Sequence, residues 1–354
     1  MQGQTNLNIK LENRLYLIQV VAAIIAMTYF VSTLTGYSVF STFLAFPAIY
    51  IVPGFMLILL LSKGQSQNFR QLIVLSFFLS TIIAVAVVSM LMLFGITIRP
   101  FSISIIYLLL VFTLIVLITI FGRTSRIQVS HLDCAFLGIS FITYTSLIHM
   151  FTSVPRLFTM DETTYIAFSR YAMLKGETYP IGSVPSATGG FNLKCLVRGR
   201  FFWTLLIASF LGSTGLPAYQ AYTISSMFLP MVAIASTLLI PSKFKENKLL
   251  EVGTFMLVLF NPLLLLFSGF VLNDLAVSFY LLLAIIFFVQ SFIPNSQDKA
   301  SINLHYLLIS FLTLIVVFLI KKNVVVIFPM YVVLIFHIVH HGLHKVSKTW
   351  KVLL

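Results

Sequence analysis

SISIIYLLLVFTLIVLITIF, residues Ser102–Phe121, is a run of twenty residues without a charge. As a helix rising 1.5 Å per residue it spans about 30 Å, the thickness of a bilayer's hydrocarbon core. Working outward, comparable runs lie at about Leu15–Gly36, Thr42–Leu61, Gln71–Phe94 and Asp133–Phe151. Beyond residue 217 they resume at Ala218–Ile240, Leu249–Phe267, Leu275–Phe292, Leu304–Ile320 and Val324–His340. Only 9% of the 354 residues are charged and 59% are hydrophobic, whereas soluble domains carry about 25% charged residues. The fold class expected is an all-α polytopic membrane protein of about ten transmembrane helices. No internal repeat or low-complexity tract is visible.

The net charge of +13 would point to nucleic acid in a soluble protein. Here the basic residues sit in short connectors between apolar runs, where positive charge sets helix orientation, so no nucleic-acid partner is expected. With a cytoplasmic N-terminus, Lys63, Arg70, Arg123, Arg126, Lys243, Lys245, Lys248 and Lys299 fall inside, together with Lys10, Arg14 and the C-terminal Lys345, Lys348 and Lys351. That places thirteen of the 22 basic residues inside and nine outside, six of the nine in one long loop. The expectation is a multi-pass cell-membrane protein with both termini cytoplasmic. The first run is too long for a signal-peptide core and is read as an uncleaved span. Cys134 and Cys195 then lie on opposite sides, and no disulfide is expected.

The long polar stretch, Ser153–Arg200, is read as an extracytoplasmic loop. It opens with Thr159-Met160-Asp161-Glu162-Thr163-Thr164-Tyr165 and ends before Phe201–Leu211, an apolar run too short to cross and therefore juxtamembrane or re-entrant. The outer face then carries four carboxylates, Asp161, Glu162, Glu177 and Asp274, and cations including Arg170, Lys194, Arg198, Arg200, Lys321 and Lys322. Such a set has the chemistry to activate a hydroxyl and neutralise a phosphate. Plainer readings stand beside it. Thr159 and Glu162 have capping-box spacing, an acidic first turn complements the helix macrodipole, Asp274 is placed to cap the following span, and Lys321-Lys322 can snorkel to lipid headgroups. The seven histidines show no metal-ligand spacing.

Asp161-Glu162-Thr163-Thr164-Tyr165, with Ser169-Arg170-Tyr171-Ala172-Met173-Leu174-Lys175-Gly176 after it, resembles the first extracytoplasmic loop of GT-C fold glycosyltransferases, in the protein O-mannosyltransferase and lipid A aminoarabinose transferase branch. Gly199-Arg200-Phe201-Phe202-Trp203 resembles the end of that loop, and Asn261-Pro262 with Val271-Leu272-Asn273-Asp274-Leu275 resembles a later region with a second outer Asp. The resemblance divides the chain into a four-helix N-terminal module (1–130) and a GT-C-like core (131–354, catalytic loop 153–200), the latter C-terminally short for the family. The four preceding spans depart from the family pattern.

That resemblance implies inverting transfer of a sugar from a polyprenyl-phosphate donor to a hydroxyl on a protein, lipid or glycan acceptor. Asp161, Glu162 and Asp274 would be the catalytic carboxylates; Tyr165, Arg170, Lys194, Arg198, Arg200, Lys321 and Lys322 would bind substrate. No cofactor or metal ligand is assigned, although Asp161, Glu162 and Asp274 can hold a divalent cation. Two other classes remain open: a transporter or flippase of a lipid-linked or anionic solute, and a noncatalytic subunit of an envelope-glycan pathway.

Overall fold

A computed structural model describes residues 7–9, 15–36, 38–61, 67–121, 127–153, 166, 169–170, 173, 201–216, 218–240, 248–268, 273–291 and 304–321. In chain order the elements are β1 (Leu7–Ile9), α1 (Leu15–Thr35), α2 (Ser38–Tyr50), α3 (Val52–Leu61), β2 (Gln67–Asn68), α4 (Phe69–Leu93), α5 (Pro100–Phe121), β3 (Ile127–Val129) and α6 (His131–Ser153). After the loop come α7 (Phe201–Thr214), a 3₁₀ segment (Ala218–Met227), α8 (Phe228–Thr237), α9 (Lys248–Leu259), α10 (Pro262–Ser268), α11 (Asp274–Ser291) and α12 (Leu304–Ile320). Six described helical stretches are long and apolar enough to cross a membrane, and the α9–α10 pair makes a seventh if its 50° bend lies within one span. The protein is a multi-pass helical membrane protein. The expected span Val324–His340 lies outside the described residues.

Three of the expected spans are not single straight helices. Thr42–Leu61 is divided at Ile51 between α2 and α3. Leu249–Phe267 breaks at Asn261, because Pro262 has no N–H to donate to the preceding turn and disfavours helical geometry in the residue before it. The Asn261 side chain caps the new helix, accepting from the Leu263 and Leu264 N–H groups at 3.0 and 3.3 Å. In Ala218–Ile240 the first ten residues wind as a 3₁₀ helix. Thr223 and Ser226 bond through their hydroxyls to carbonyls three residues back, and Pro230 leaves the Ser226 carbonyl without its helical donor.

The loops at one end carry short strands that the all-α expectation did not foresee. β3 lies between β1, antiparallel with Leu7 opposite Val129, and β2, parallel with Gln67 opposite Ile127. This ribbon ties the segment before α1, the α3–α4 connector and the α5–α6 connector to one end of the bundle. α4 starts there and ends at the far end in a Schellman motif: Gly95, at φ +66°, donates to the Met92 carbonyl and Ile96 to that of Leu91. α11 runs back beside α4, with Gln71 donating to Gln290 at 3.2 Å near the ribbon and Tyr280 to Thr81 at 2.8 Å at mid-depth.

Where α4, α7, α8 and α11 meet, Phe77, Phe228, Phe279 and Tyr280 form a nest of rings with centroids 5.2 to 6.0 Å apart, most of them edge-on. Edge-to-face geometry suits the ring quadrupoles. Trp203 and Phe202 of α7 close the nest.

Candidate functional site at the far end of the bundle

α6 starts beside the ribbon and its 23 residues cover about 34 Å, so Ser153 delivers the chain into its polar loop at the far end. Asp161, Glu162, Tyr165, Lys194, Arg198, Arg200 and Lys322 lie outside the described residues. Arg170 is described and exposed. Its neighbour Ser169 is fully buried and donates to the Thr204 carbonyl of α7 at 3.1 Å, which moors this part of the loop to that helix.

α7 itself lies inside the protein. Residues 202–214 are all buried, with Trp203, Leu205–Ala208 and Phe210 at zero exposure. Its first turn touches Tyr280 at mid-depth, while Ser213 accepts from Tyr29 and Gly212 packs on Ile98 toward the far end. Phe201–Leu211, expected as a juxtamembrane or re-entrant helix, is a helix buried within the bundle. Burial on all sides suits a helix that is apolar all round.

The structure brings together two of the sequence-selected residues. The Lys321 ammonium donates to Asp274 Oδ1 at 2.7 Å, both side chains being about two-fifths exposed. The hairpin beneath them is fixed by Asn273, buried at the start of α11, whose amide donates to the Ile320 carbonyl at 3.1 Å. Asn273 also accepts the Val277 N–H, so it caps the helix through its backbone while its side chain holds the end of α12, the returning helix of the hairpin. Asp274 therefore sits in the first turn of α11, favoured there by the helix dipole, and it holds the Lys321 ammonium in one place. The pair is recessed. Asp274 is only six residues, about 9 Å, beyond the mid-depth Tyr280–Thr81 bond, whereas α4 continues twelve residues, about 18 Å, past Thr81.

None of the protein families, curated proteins or solved structures compared with the chain matches it. The site is therefore read from its own chemistry. The Lys321 ammonium, partly exposed below the rim of an apolar bundle and bonded on one side to Asp274, keeps donors for an anion. Among the described residues no group of three His, Cys, Asp or Glu side chains is arranged to hold a metal ion.

Sequence reasoning missed a second charged cluster, at the ribbon end. Arg70 of α4 donates through Nε to Asp133 of α6 and through Nη2 to Glu251 of α9, the latter at 2.8 Å. All three side chains are about nine-tenths buried. Arg70 also lies 5.1 Å over the Phe136 ring, which stacks on Phe255 at 4.3 Å. Asp133 makes a reciprocal cap as well, its Oδ2 accepting the Ser130 N–H at 2.8 Å while the Ser130 hydroxyl accepts the Asp133 N–H at 3.2 Å. Each residue opens an apolar run, so in sequence each passes for an orientation charge or a cap. The free Cys134 beside this cluster is exposed.

Proposed function

We propose that the protein is a GT-C-like membrane glycosyltransferase that moves a sugar from a polyprenyl-phosphate donor to a hydroxyl acceptor at the far, extracytoplasmic end, within a topology of about ten spans. The observation that carries this reading is the recessed Asp274–Lys321 pair, at the end of the bundle where α6 hands over to the polar loop. A lipid phosphate lies at the headgroup level, with its tail in hydrocarbon, and a fixed ammonium at that depth meets it. The acceptor oxygen bonds to the anomeric carbon, the bond from that carbon to the phosphate oxygen breaks, and polyprenyl phosphate leaves. Asp161 takes the acceptor's proton, and Lys321, with Arg198, Arg200 and Lys322, balances the leaving phosphate. One direct displacement inverts the anomeric centre. Asp274, already engaged by Lys321, serves here as the group that positions the cation.

The test uses purified protein in lipid with a panel of radiolabelled polyprenyl-phosphate sugars. Wild type releases label from one donor, and Asp161→Asn lowers the rate by about 10² to 10⁴, the usual worth of a general base. Asp274→Asn and Lys321→Met weaken donor use together and not additively, because either change breaks the same pair. Full activity of Asp161→Asn in folded protein would remove Asp161 from the mechanism, and no release from any donor would remove the enzyme reading.

A transporter or flippase is the second reading, favoured by the interrupted helices at Ile51 and Asn261 and by the half-length α7. Discontinuous helices line substrate sites in many transporters. Movement of lipid-linked sugar across a vesicle bilayer without chemical change is the result that would select it.

A further inference from the structure

α9 and α10 are held very differently. α9 is pinned at the ribbon end, where Glu251 accepts from Arg70 and Phe255 stacks on Phe136. Its twelve residues cover about 18 Å and carry the chain to mid-depth. α10 turns away by 50° and occupies the outer half. It rests on the 3₁₀ segment, α8 and α11, yet of its seven residues only Ser268 is buried. Pro262, Leu263 and Leu266 are exposed, and Leu264 and Leu265 are partly buried.

No backbone hydrogen bond ties the two helices across the break. Phe260 and Asn261 donate back into α9, to the Met256 and Val258 carbonyls. Pro262 has no N–H. Leu263 and Leu264 donate to the Asn261 side chain at 3.0 and 3.3 Å, and Leu265 donates to the Asn261 carbonyl at 2.9 Å. Rotation about the N–Cα bond of Asn261 carries its side chain and carbonyl along with α10 and leaves its N–H on α9. The cap travels with the helix, so a swing breaks none of these bonds. We propose that α10 is a flap hinged at Asn261 that opens the far end sideways to the bilayer, admitting the lipid-linked substrate toward Lys321. Single residues that absorb a backbone rotation are the usual basis of such closures, and a helix with few buried apolar contacts belongs to the least stable part of a fold. The sideways route follows from the substrate, whose apolar tail stays in hydrocarbon while its phosphate reaches the recess. That part rests on the function proposed above, whereas the swing does not.

Spin labels on the full chain in lipid nanodiscs test the flap, in a Cys134→Ser, Cys195→Ser background. Gly138→Cys on α6 is paired with Leu266→Cys on α10, all three helices' label sites being exposed. The control pairs Gly138→Cys with Leu257→Cys on α9, which the Arg70 cluster holds to α6. Double electron-electron resonance should give two distances for the α10 pair and one for the α9 pair. Pro262→Ala supplies an N–H for the Val258 carbonyl, four residues back, and should collapse the α10 pair to one distance. Added polyprenyl phosphate should shift the ratio of the two populations by about twofold or more. A single α10 distance that the lipid does not move overturns the flap, as do two distances that Pro262→Ala or the lipid leaves unchanged. A protein that transfers no sugar but shows the lipid-dependent shift keeps the flap and loses only the chemistry.

Discussion

Replacing Arg70 by methionine is expected to destabilise the protein by about 3–5 kcal/mol, the range seen when one partner of a buried ion pair is removed. The reason is what remains. Asp133 and Glu251 are both about nine-tenths buried and both face the guanidinium, so its loss leaves two carboxylates close together with no cation between them. Part of the Arg70 contribution is its guanidinium over Phe136, a contact that methionine replaces only with an apolar one. Thermal unfolding in detergent measures the loss. The informative companion is the triple change Arg70→Met, Asp133→Leu, Glu251→Leu. An apolar set of similar volume needs no desolvation of charge and should restore most of the lost stability. If the triple variant is as unstable as Arg70→Met, the loss does not arise from stranded charge. Asp133→Leu also removes the reciprocal cap with Ser130, about 1 kcal/mol that the triple variant does not regain.

Gly54→Leu is expected to be nearly as damaging, for a steric reason. A Cβ built on Gly54 would stand 2.1 Å from the Ser76 carbonyl oxygen and 2.8 Å from Ser80 Oγ. The obstacle is backbone, which cannot rotate aside, so α3 and α4 must move apart. Their approach is close because the Gly54 N–H, an orphan donor in the first turn of α3, is satisfied across the interface by Ser80 Oγ at 2.8 Å, and Ser80 in turn donates to the Ile51 carbonyl. Separation breaks those bonds and opens the packing around them, a loss of about 3 kcal/mol or more. Gly54→Ala should already be harmful. Gly138 of α6 is the control: nothing lies within 4 Å of its added Cβ, so Gly138→Ala should be neutral or slightly stabilising. Equal unfolding midpoints for Gly54→Ala and Gly138→Ala would contradict the close crossing.

How much of this could be read beforehand varies element by element. Hydropathy located most of the long helices, and the alternation of basic connectors grouped Lys63, Arg70, Arg123 and Arg126 on one side. The ribbon joins those same connectors at one end of the bundle. Asp274 and Lys321 were assigned to one face, but 47 residues separate them and no local pattern announces that they touch. The Arg70 cluster was illegible for a similar reason. Each member obeys a local rule at the start of an apolar run, and only tertiary packing shows that three such starts converge. The depth of α7 was undecided, because a short apolar helix has the same composition on a membrane surface and inside a bundle. The break at Asn261 had a signal in Pro262, the division at Ile51 one in Pro53, and the irregular winding of residues 218–227 one in Pro230 just beyond it, prolines within apolar runs marking kinks or helix ends.

The burial of α7 also bears on how the chain is made. Tyr29 and Tyr50 enter the membrane with the first two spans, well over a hundred residues before the helix they bond to has been synthesised. During that interval the slot they line faces lipid or water, presenting aromatic edges and hydroxyls with nothing to bond. Early spans can reach the bilayer in order, but they cannot reach their final spacing until Phe201–Thr214 packs between them. Assembly is thus a late event, closed by a helix made after the earlier spans, and a nascent chain halted before residue 201 is a set of inserted helices around an unfilled centre.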